Sequence, residues 1–490
     1  MSPATLNLNP ASALQAKGNN LHNASVLAID WDYEDVTIEY LQSLYACNSI
    51  TPSDVVRLVY RRIEEHWDKA AWITLVSEAE AMAAARRLVE RYPDAESRPP
   101  LYGVPFSVKD SIDIAGLPTT LACPSYAYTA AQTAPVVQRI LAAGGILIGK
   151  TNLDQFATGL NGTRSPYGAP RCVYDADYVS GGSSSGSVVS VAAGLVCFTV
   201  ATDTAGSTRV PAALNGVVGL KPTLGTISTV GLVPASLDVM RGYDEDDVYA
   251  RDSLQLSVLA AQSSWWDARG DGKVRYALPP ADLVAAALSG PYRLLFRSVL
   301  TKLAGLSFMT PTEEGRFDYT PFASANAMLY GSSVVSQRIV AFKPYLTSHG
   351  MDGLHPVIRE IFRASDGFDA VRAYEDIFSL AEYKRNAARQ FRSSISPTAG
   401  GIDVLIVPST AVHPTVAEIV ADPIELNKRL GSFTHFVNLL DLCAVAVPVG
   451  GTWVNKNGNA MPFSITLIST PGHDEDLLEL GQRLMSERWA

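Results

Sequence analysis

Apolar side chains recur at helical spacing early in the chain, at Val55, Val56, Leu58, Val59 and Ile63 of TPSDVVRLVYRRIEEHWD. Residues three and four apart share one helix face, so this stretch predicts an amphipathic helix, with Thr51 and Ser53 as N-cap candidates. SEAEAMAAARRLVERY, from Ser77 to Tyr92, is rich in good helix formers and predicts a second. The pattern then alternates. LYGVPFSVKD reads as a short strand, VVQRILAAGG as a helix, ILIGK as a strand and LDQFATGL as another helix. VVSVAAG follows as a small-residue helix and LVCFTVATDT as a buried strand. Toward the C-terminus IDVLIVPS, CAVAVPVGG and FSITLIST are β-rich runs bounded by Pro and Gly, and DEDLLELGQRLM closes as an amphipathic helix. Helices are expected around Met328 to Phe342, within a stretch from Arg241 to Gly353 that is otherwise hard to read. The alternation predicts an α/β fold around one large mixed β-sheet. No internal repeat or long Gly/Ser linker divides the chain, so a single domain is expected.

Composition narrows the function. A chain of 490 residues that is 47% hydrophobic can bury a large core, and its net charge of −10 argues against nucleic acid or an anionic membrane surface as partner. Small molecules are the expected ligands. The five cysteines are scattered, with no CxxC pair, which fits a reducing compartment. MSPATLNLNPASALQAKGNN has no apolar signal core and no Arg, so a cytoplasmic protein is expected. Only Val188 to Ala201 of the uncharged run Tyr178 to Thr202 is mostly apolar, too short to span a membrane. No HExxH and no Cys/His cluster at ligand spacing occurs, so no metal or other cofactor is expected.

The serine-rich YVSGGSSSGSVVSVAAG, Tyr178 to Gly194, admits several readings. A flexible linker does not fit, because a buried apolar run follows at once. A phosphate-binding loop needs a lysine after its second glycine, and none is there. Gly182, Ser184 and Gly186 satisfy GxSxG, but VYDADYVS is a poor strand for a nucleophile elbow. That reading also needs a histidine, from His349, His355, His413, His435 or His473. The other reading uses Ser207 in VATDTAGSTRVPA. Gly206 lets the chain turn so that N–H groups from Thr204 to Ser207 converge, as an oxyanion hole requires. Lys109 ends an apolar strand, where desolvation favours its neutral, basic form.

YGVPFSVKD, GILIGKTNLDQFA, SGGSSSGSVVSVAAG, TDTAGSTRVPA and NGVVGLKPT, in this order, resemble the amidase signature hydrolases, from about Ser25 to the end. The resemblance implies an amidase signature fold with helices on both faces of the sheet. It also implies a Ser-Ser-Lys triad: Ser207 as nucleophile, Lys109 as base and Ser183, 24 residues before Ser207, as a bridging serine beside a cis peptide bond. Backbone N–H groups of Thr204, Ala205, Gly206 and Ser207 would form the oxyanion hole. Residues 1–24 would be an extension ahead of one amidase domain spanning 25–490.

GLPTTLACPSYAY, KTNLDQFATGLNGTRSPYGAPR, LHPVIREI, VAEIVADPIELNKRLGSFTHFVNLLDLCAVAVPVG and MPFSITLI further resemble the amidase portion of allophanate hydrolases. That likeness implies hydrolysis of a small carboxylated ureide with release of ammonia, a functional link to a urea carboxylase, and a homodimer. A broader amidase and an amidotransferase A-type subunit are the alternatives. In allophanate hydrolases a Tyr and an Arg eight residues apart hold the substrate carboxylate, and LYGSSVVSQRI offers Tyr330 and Arg338. On one helix they would sit about 80° apart beyond two full turns, able to face one pocket. Residues between Arg241 and Lys273 depart from the family pattern and carry nothing over. The chain stops after the amidase closing helix, so the further C-terminal domain usual in allophanate hydrolases is expected to be absent.

Overall fold

The structure is a computed structural model that describes residues 37–227, 247, 250–260, 264–268, 270–391, 401–487 and 489. The extension expected over 1–24 lies outside the described residues, as does much of 241–273.

Ten strands organise the fold: β1 (Trp72–Leu75), β2 (Pro105–Lys109), β3 (Ile146–Thr151), β4 (Phe198–Val200), β5 (Gly219–Lys221), β6 (Val274–Ala277), β7 (Met309–Pro311), β8 (Val404–Pro408), β9 (Cys443–Val454) and β10 (Ala460–Ser469). They form a four-stranded sheet in the order β1-β3-β2-β4 and a six-stranded sheet in the order β7-β6-β8-β10-β9-β5. Both mix parallel and antiparallel pairs: β2 runs parallel to β3 and β4, whereas β9 is antiparallel to β10 and β5. The mixed α/β character is as expected, but the ladder is split in two. Consecutive strands β4 and β5 are the outer strands of their sheets, because the chain between them abandons extended geometry for a tight loop and a short helix.

The helices that matter for the site are α1 (Pro52–Glu65), α2 (Glu78–Arg91), α3 (Pro135–Ala142), α4 (Ser185–Ala192), α5 (Arg209–Leu214), α6 (Thr320–Gly331), α7 (Ser336–His349) and α8 (Asp474–Ser486). Thr51 caps α1 in a reciprocal box with Asp54, and Ser77 caps α2 in the same way with Glu80, each worth about 1 kcal/mol. Ser53, the other candidate, lies inside α1. Leu477, Leu480 and Leu484 of α8 are fully buried at spacings of three and four, and the helix packs on β9 and β10. Phe106 of β2 stacks on Phe198 of β4 with ring centroids 5.4 Å apart.

LDQFATGL is not a helix. Only Gln155–Ala157 makes a single 3-10 turn, and Phe156 and Ala157 sit at φ 52° and 51°. The Asp154 carboxylate is the cause: it accepts from the backbone N–H of Gly162 at 3.0 Å and of Arg164 at 2.9 Å, which folds the segment back on itself.

Candidate active site

Lys109 is the last residue of β2 and is fully buried between β3 and β4. Its Nζ lies 2.9 Å from Ser183 Oγ, 2.9 Å from Ser184 Oγ and 2.7 Å from Thr202 Oγ1. Burial lowers the amine most strongly; the charges of Asp154 and Asp203 pull it back up, and Arg338 lowers it again, leaving its pKa at about 7 instead of 10.5. The neutral, proton-accepting form of the amine is therefore accessible near neutral pH. The hydroxyl of Ser184 donates to Thr202 O at 3.2 Å, so toward Lys109 it acts as acceptor. Ser183 Oγ has no further partner among the described residues, which leaves its O–H free to point at the lone pair of a neutral amine.

The serine-rich segment takes its shape from close backbone approaches. The Gly182–Ser183 peptide bond is cis, and Gly181 sits at φ 77°. Gly182 N–H donates to Leu160 O at 2.9 Å, and Ser183 O accepts from Asp154 N–H at 3.0 Å. A side chain on Gly186 would collide with the Ala71 carbonyl, where α4 starts against β1 and β3. Ser187 hydrogen-bonds Thr151 of β3 at 2.6 Å, and Ser190 hydrogen-bonds Ser107 of β2 at 2.9 Å. These serines fasten α4 to the sheet, and Ser184 joins Ser183 as a hydrogen-bond partner of Lys109.

Ser207 precedes α5 and is 2% exposed. Its carbonyl accepts from Ser184 N–H at 3.1 Å, tying its loop to the serine-rich segment. Asp203 organises that loop: it accepts from Gly206 N–H at 2.7 Å and from the N–H groups of Thr208 and Arg209 at 3.3 and 3.2 Å. Arg209 closes on Asp203 through Nε and Nη2, both at 2.9 Å, in a buried two-pronged pair. Burial alone would raise the Asp203 carboxyl, but the Arg209 charge and these hydrogen bonds hold it at about 2. Gly206 N–H is thus spent on Asp203 and drops out of the expected set of free donors. Among the described residues the N–H groups of Thr204, Ala205 and Ser207 have no protein acceptor. Thr434 braces the loop from outside, donating to Ala205 O at 2.8 Å and standing where any side chain on Gly206 would fall. Asp203→Asn leaves the buried guanidinium unpaired and is expected to destabilise the fold by about 3 kcal/mol, read from urea unfolding at pH 7.

Tyr330 and Arg338 do not share a helix. Ser332 is extended (φ −138°, ψ 176°) and its side chain accepts from Val334 N–H, ending α6 so that a 3-10 turn intervenes before α7. The spacing of eight residues therefore does not act through helical rotation. Tyr330 packs edge-on against His435, with centroids 5.3 Å apart, beside the bracing Thr434. Arg338 Nη1 donates to Thr158 Oγ1 at 2.7 Å and to Ala157 O at 3.1 Å; Nη2 and Nε have no protein partner among the described residues.

No histidine among the described residues is hydrogen-bonded to Ser184 or Ser207. His413 is buried on Val179 O and held at about 4, and His435 is buried near the charges of Arg209 and Arg338 and held at about 3, desolvation being the larger cause in each. No group of three or more His, Cys, Asp or Glu among the described residues is placed to hold a metal, and none of their helices is long and apolar enough to cross a membrane. Sequence reasoning missed Thr202, Asp154, Asp203 and Arg209. The one available signal was an Asp six residues ahead of an Arg around TAGST, both in an otherwise apolar and small-residue context.

A buried lysine on paired serines, next to a braced loop with free N–H groups, is an arrangement chemically able to support acyl transfer. The amidase family model matches residues 54–280. The chain is 38% identical to the urea amidolyase of Saccharomyces cerevisiae over 434 residues, which is 84% of this chain but only 22% of that protein. It is 32% identical to the A-type subunit of the glutamyl-tRNA(Gln) amidotransferase of Geobacillus thermodenitrificans, over 85% of this chain and 91% of that protein. Its fold matches the crystal structure of Kluyveromyces lactis allophanate hydrolase with a TM-score of 0.77 and 32% identity, covering 94% of this chain and 73% of that one. With sequence and fold both aligned along most of its length, the chain belongs to the amidase family.

Proposed function

We propose that this protein hydrolyses allophanate, or a closely similar small carboxylated ureide, releasing ammonia. The observation that carries the reading is the 2.9 Å contact between the Nζ of a fully buried Lys109 and Ser183 Oγ. Neutral Lys109 takes the Ser183 proton as Ser183 takes that of Ser207, and Ser207 Oγ adds to the amide carbonyl. The oxyanion forms against the free N–H groups of Thr204, Ala205 and Ser207. The proton stored on Lys109 returns through Ser183 to the departing nitrogen, the C–N bond breaks, and ammonia leaves an acyl-Ser207 ester. Water, deprotonated over the same relay, adds to the ester and frees Ser207.

The substrate class rests on Arg338, whose Nη2 and Nε remain open for a carboxylate, and on the urea amidolyase and allophanate hydrolase relatives. The chain spans 22% of the urea amidolyase, and the step assigned to it is amide cleavage, in functional link with a urea carboxylase. A cytoplasmic homodimer, with residues 25–490 as one amidase domain, completes the reading. Purified protein is expected to release ammonia from allophanate and malonamate far faster than from biuret, glutamine or propionamide. A preference for glutamine would favour the amidotransferase relatives instead. Arg338→Ala is expected to raise KM for malonamate roughly 30-fold, the worth of a charge-assisted hydrogen bond of about 2 kcal/mol, with little change for propionamide. Equal effects on both amides would refute the carboxylate clamp.

A further inference from the structure

Arg164 is 1% exposed, yet no carboxylate side chain among the described residues pairs with its guanidinium. Its Nη1 donates to Thr158 O at 3.0 Å and its Nη2 to Pro423 O at 2.7 Å, while its Nε is buried without a partner. Desolvation is the largest influence on this guanidinium, the Asp154 charge offsets only part of it, and its hydrogen-bond partners are carbonyls, so its burial costs folding free energy and a compensating role is to be sought in what it touches. That is Thr158, whose hydroxyl accepts from Arg338 Nη1 at 2.7 Å. One residue thus carries two guanidinium groups, Arg164 on its carbonyl and Arg338 on its hydroxyl. The backbone of Arg164 is locked as well: its N–H donates to Asp154 Oδ1 at 2.9 Å, and its carbonyl accepts from Gln155 N–H at 2.8 Å. The backbone at Thr158 leaves regular geometry directly after the two left-handed residues Phe156 and Ala157, so without a side chain pinning its carbonyl the segment has no repeating ladder to fix it.

We infer that Arg164 is a positioning residue for substrate specificity: by pinning Thr158 between Asp154 and Pro423 it sets where the open face of Arg338 presents itself to a substrate carboxylate. The assignment rests on the carboxylated-substrate reading above. Malonamate and propionamide carry the same amide with and without a carboxylate, so the ratio of their kcat/KM values reads the clamp directly.

Arg164→Gln in the full chain is expected to lower that ratio about tenfold, through a higher KM for malonamate, with kcat for both amides and KM for propionamide within about threefold of wild type. Arg164→Lys keeps the charge but reaches only one of the two carbonyls, and is expected to lose nearly as much. Thr158→Val cuts the relay at the hydroxyl, and its effect should not add to that of Arg164→Gln. If Arg164→Gln does not fold, as judged by thermal unfolding, Arg164→Lys and Thr158→Val carry the test, and an unchanged ratio in both overturns the relay. A wild type without preference for malonamate overturns the functional reading and this assignment together. A preference that survives Arg164→Gln, or an equal fall for both amides, overturns the assignment alone.

Discussion

Ser207→Ala is expected to abolish ammonia release, lowering kcat roughly 10⁴-fold, while the fold and substrate binding stay near wild type. The large effect follows from covalent catalysis: without the Oγ there is no acyl-enzyme, and Lys109 and Ser183 are hydrogen-bonded to each other as base and relay. The small structural effect follows from what Ser207 does in the loop. It is the Ser207 carbonyl that accepts from Ser184 N–H, and Gly206 O that accepts from Val210 N–H in the first turn of α5; both are backbone bonds that alanine keeps. The variant should therefore still bind malonamate by calorimetry and unfold at the wild-type urea midpoint. Retention of even a tenth of the wild-type rate would reject Ser207 and send the assignment back to Ser184, the serine of GxSxG. The structure already weighs against Ser184, whose hydroxyl is engaged with both Lys109 and Thr202 O.

Much of the fold was legible in the sequence for a physical reason. Strands such as IDVLIVPS and CAVAVPVGG are apolar on both faces and bounded by breakers, so local composition alone marks them. Lys109 and Ser207 sit at strand and loop ends, where the alternation of elements already places chemistry. What failed were segments whose conformation is set from afar. LDQFATGL carries a helical apolar pattern, but Asp154 takes the N–H groups of Gly162 and Arg164, eight and ten residues on, and overrides it. The Tyr330 and Arg338 pair was read on helical periodicity, yet an extended Ser332 and the 3-10 turn Ser333–Val335 separate their helices. The Asp203–Arg209 pair escaped notice because a charge is expected at the surface until a fold shows it buried and matched. Arg164 escaped for the same reason, since no carboxylate side chain among the described residues forms an ion pair with its guanidinium.

Lys109→Met should lower kcat/KM at pH 7 by about three orders of magnitude or more, and the wild-type pH profile should show why. The base is the neutral amine, and burial brings its pKa to about 7. Wild-type kcat/KM is thus expected to rise about tenfold per pH unit below 7 and level off above it; in Lys109→Met this limb should vanish from the residual rate. A profile flat from pH 5.5 to 8.5 would discredit Lys109 as the base. Stability carries the same signature with a definite sign. The folded pKa lies below the unfolded value of 10.5, so between about 7 and 10.5 the unfolded chain binds more protons than the native one. Stability contributed through this group therefore rises with pH across that window and is constant below it. Relative to Lys109→Met, wild type should gain stability in urea unfolding as pH goes from 7 to 9.5. The methionine takes the same buried position at the end of β2 without a titrating group, so the difference isolates Lys109 from the other ionisable residues. If the gap stays constant over that range, the amine is already charged in the native state at pH 9, and a charged lysine cannot take the proton of Ser183.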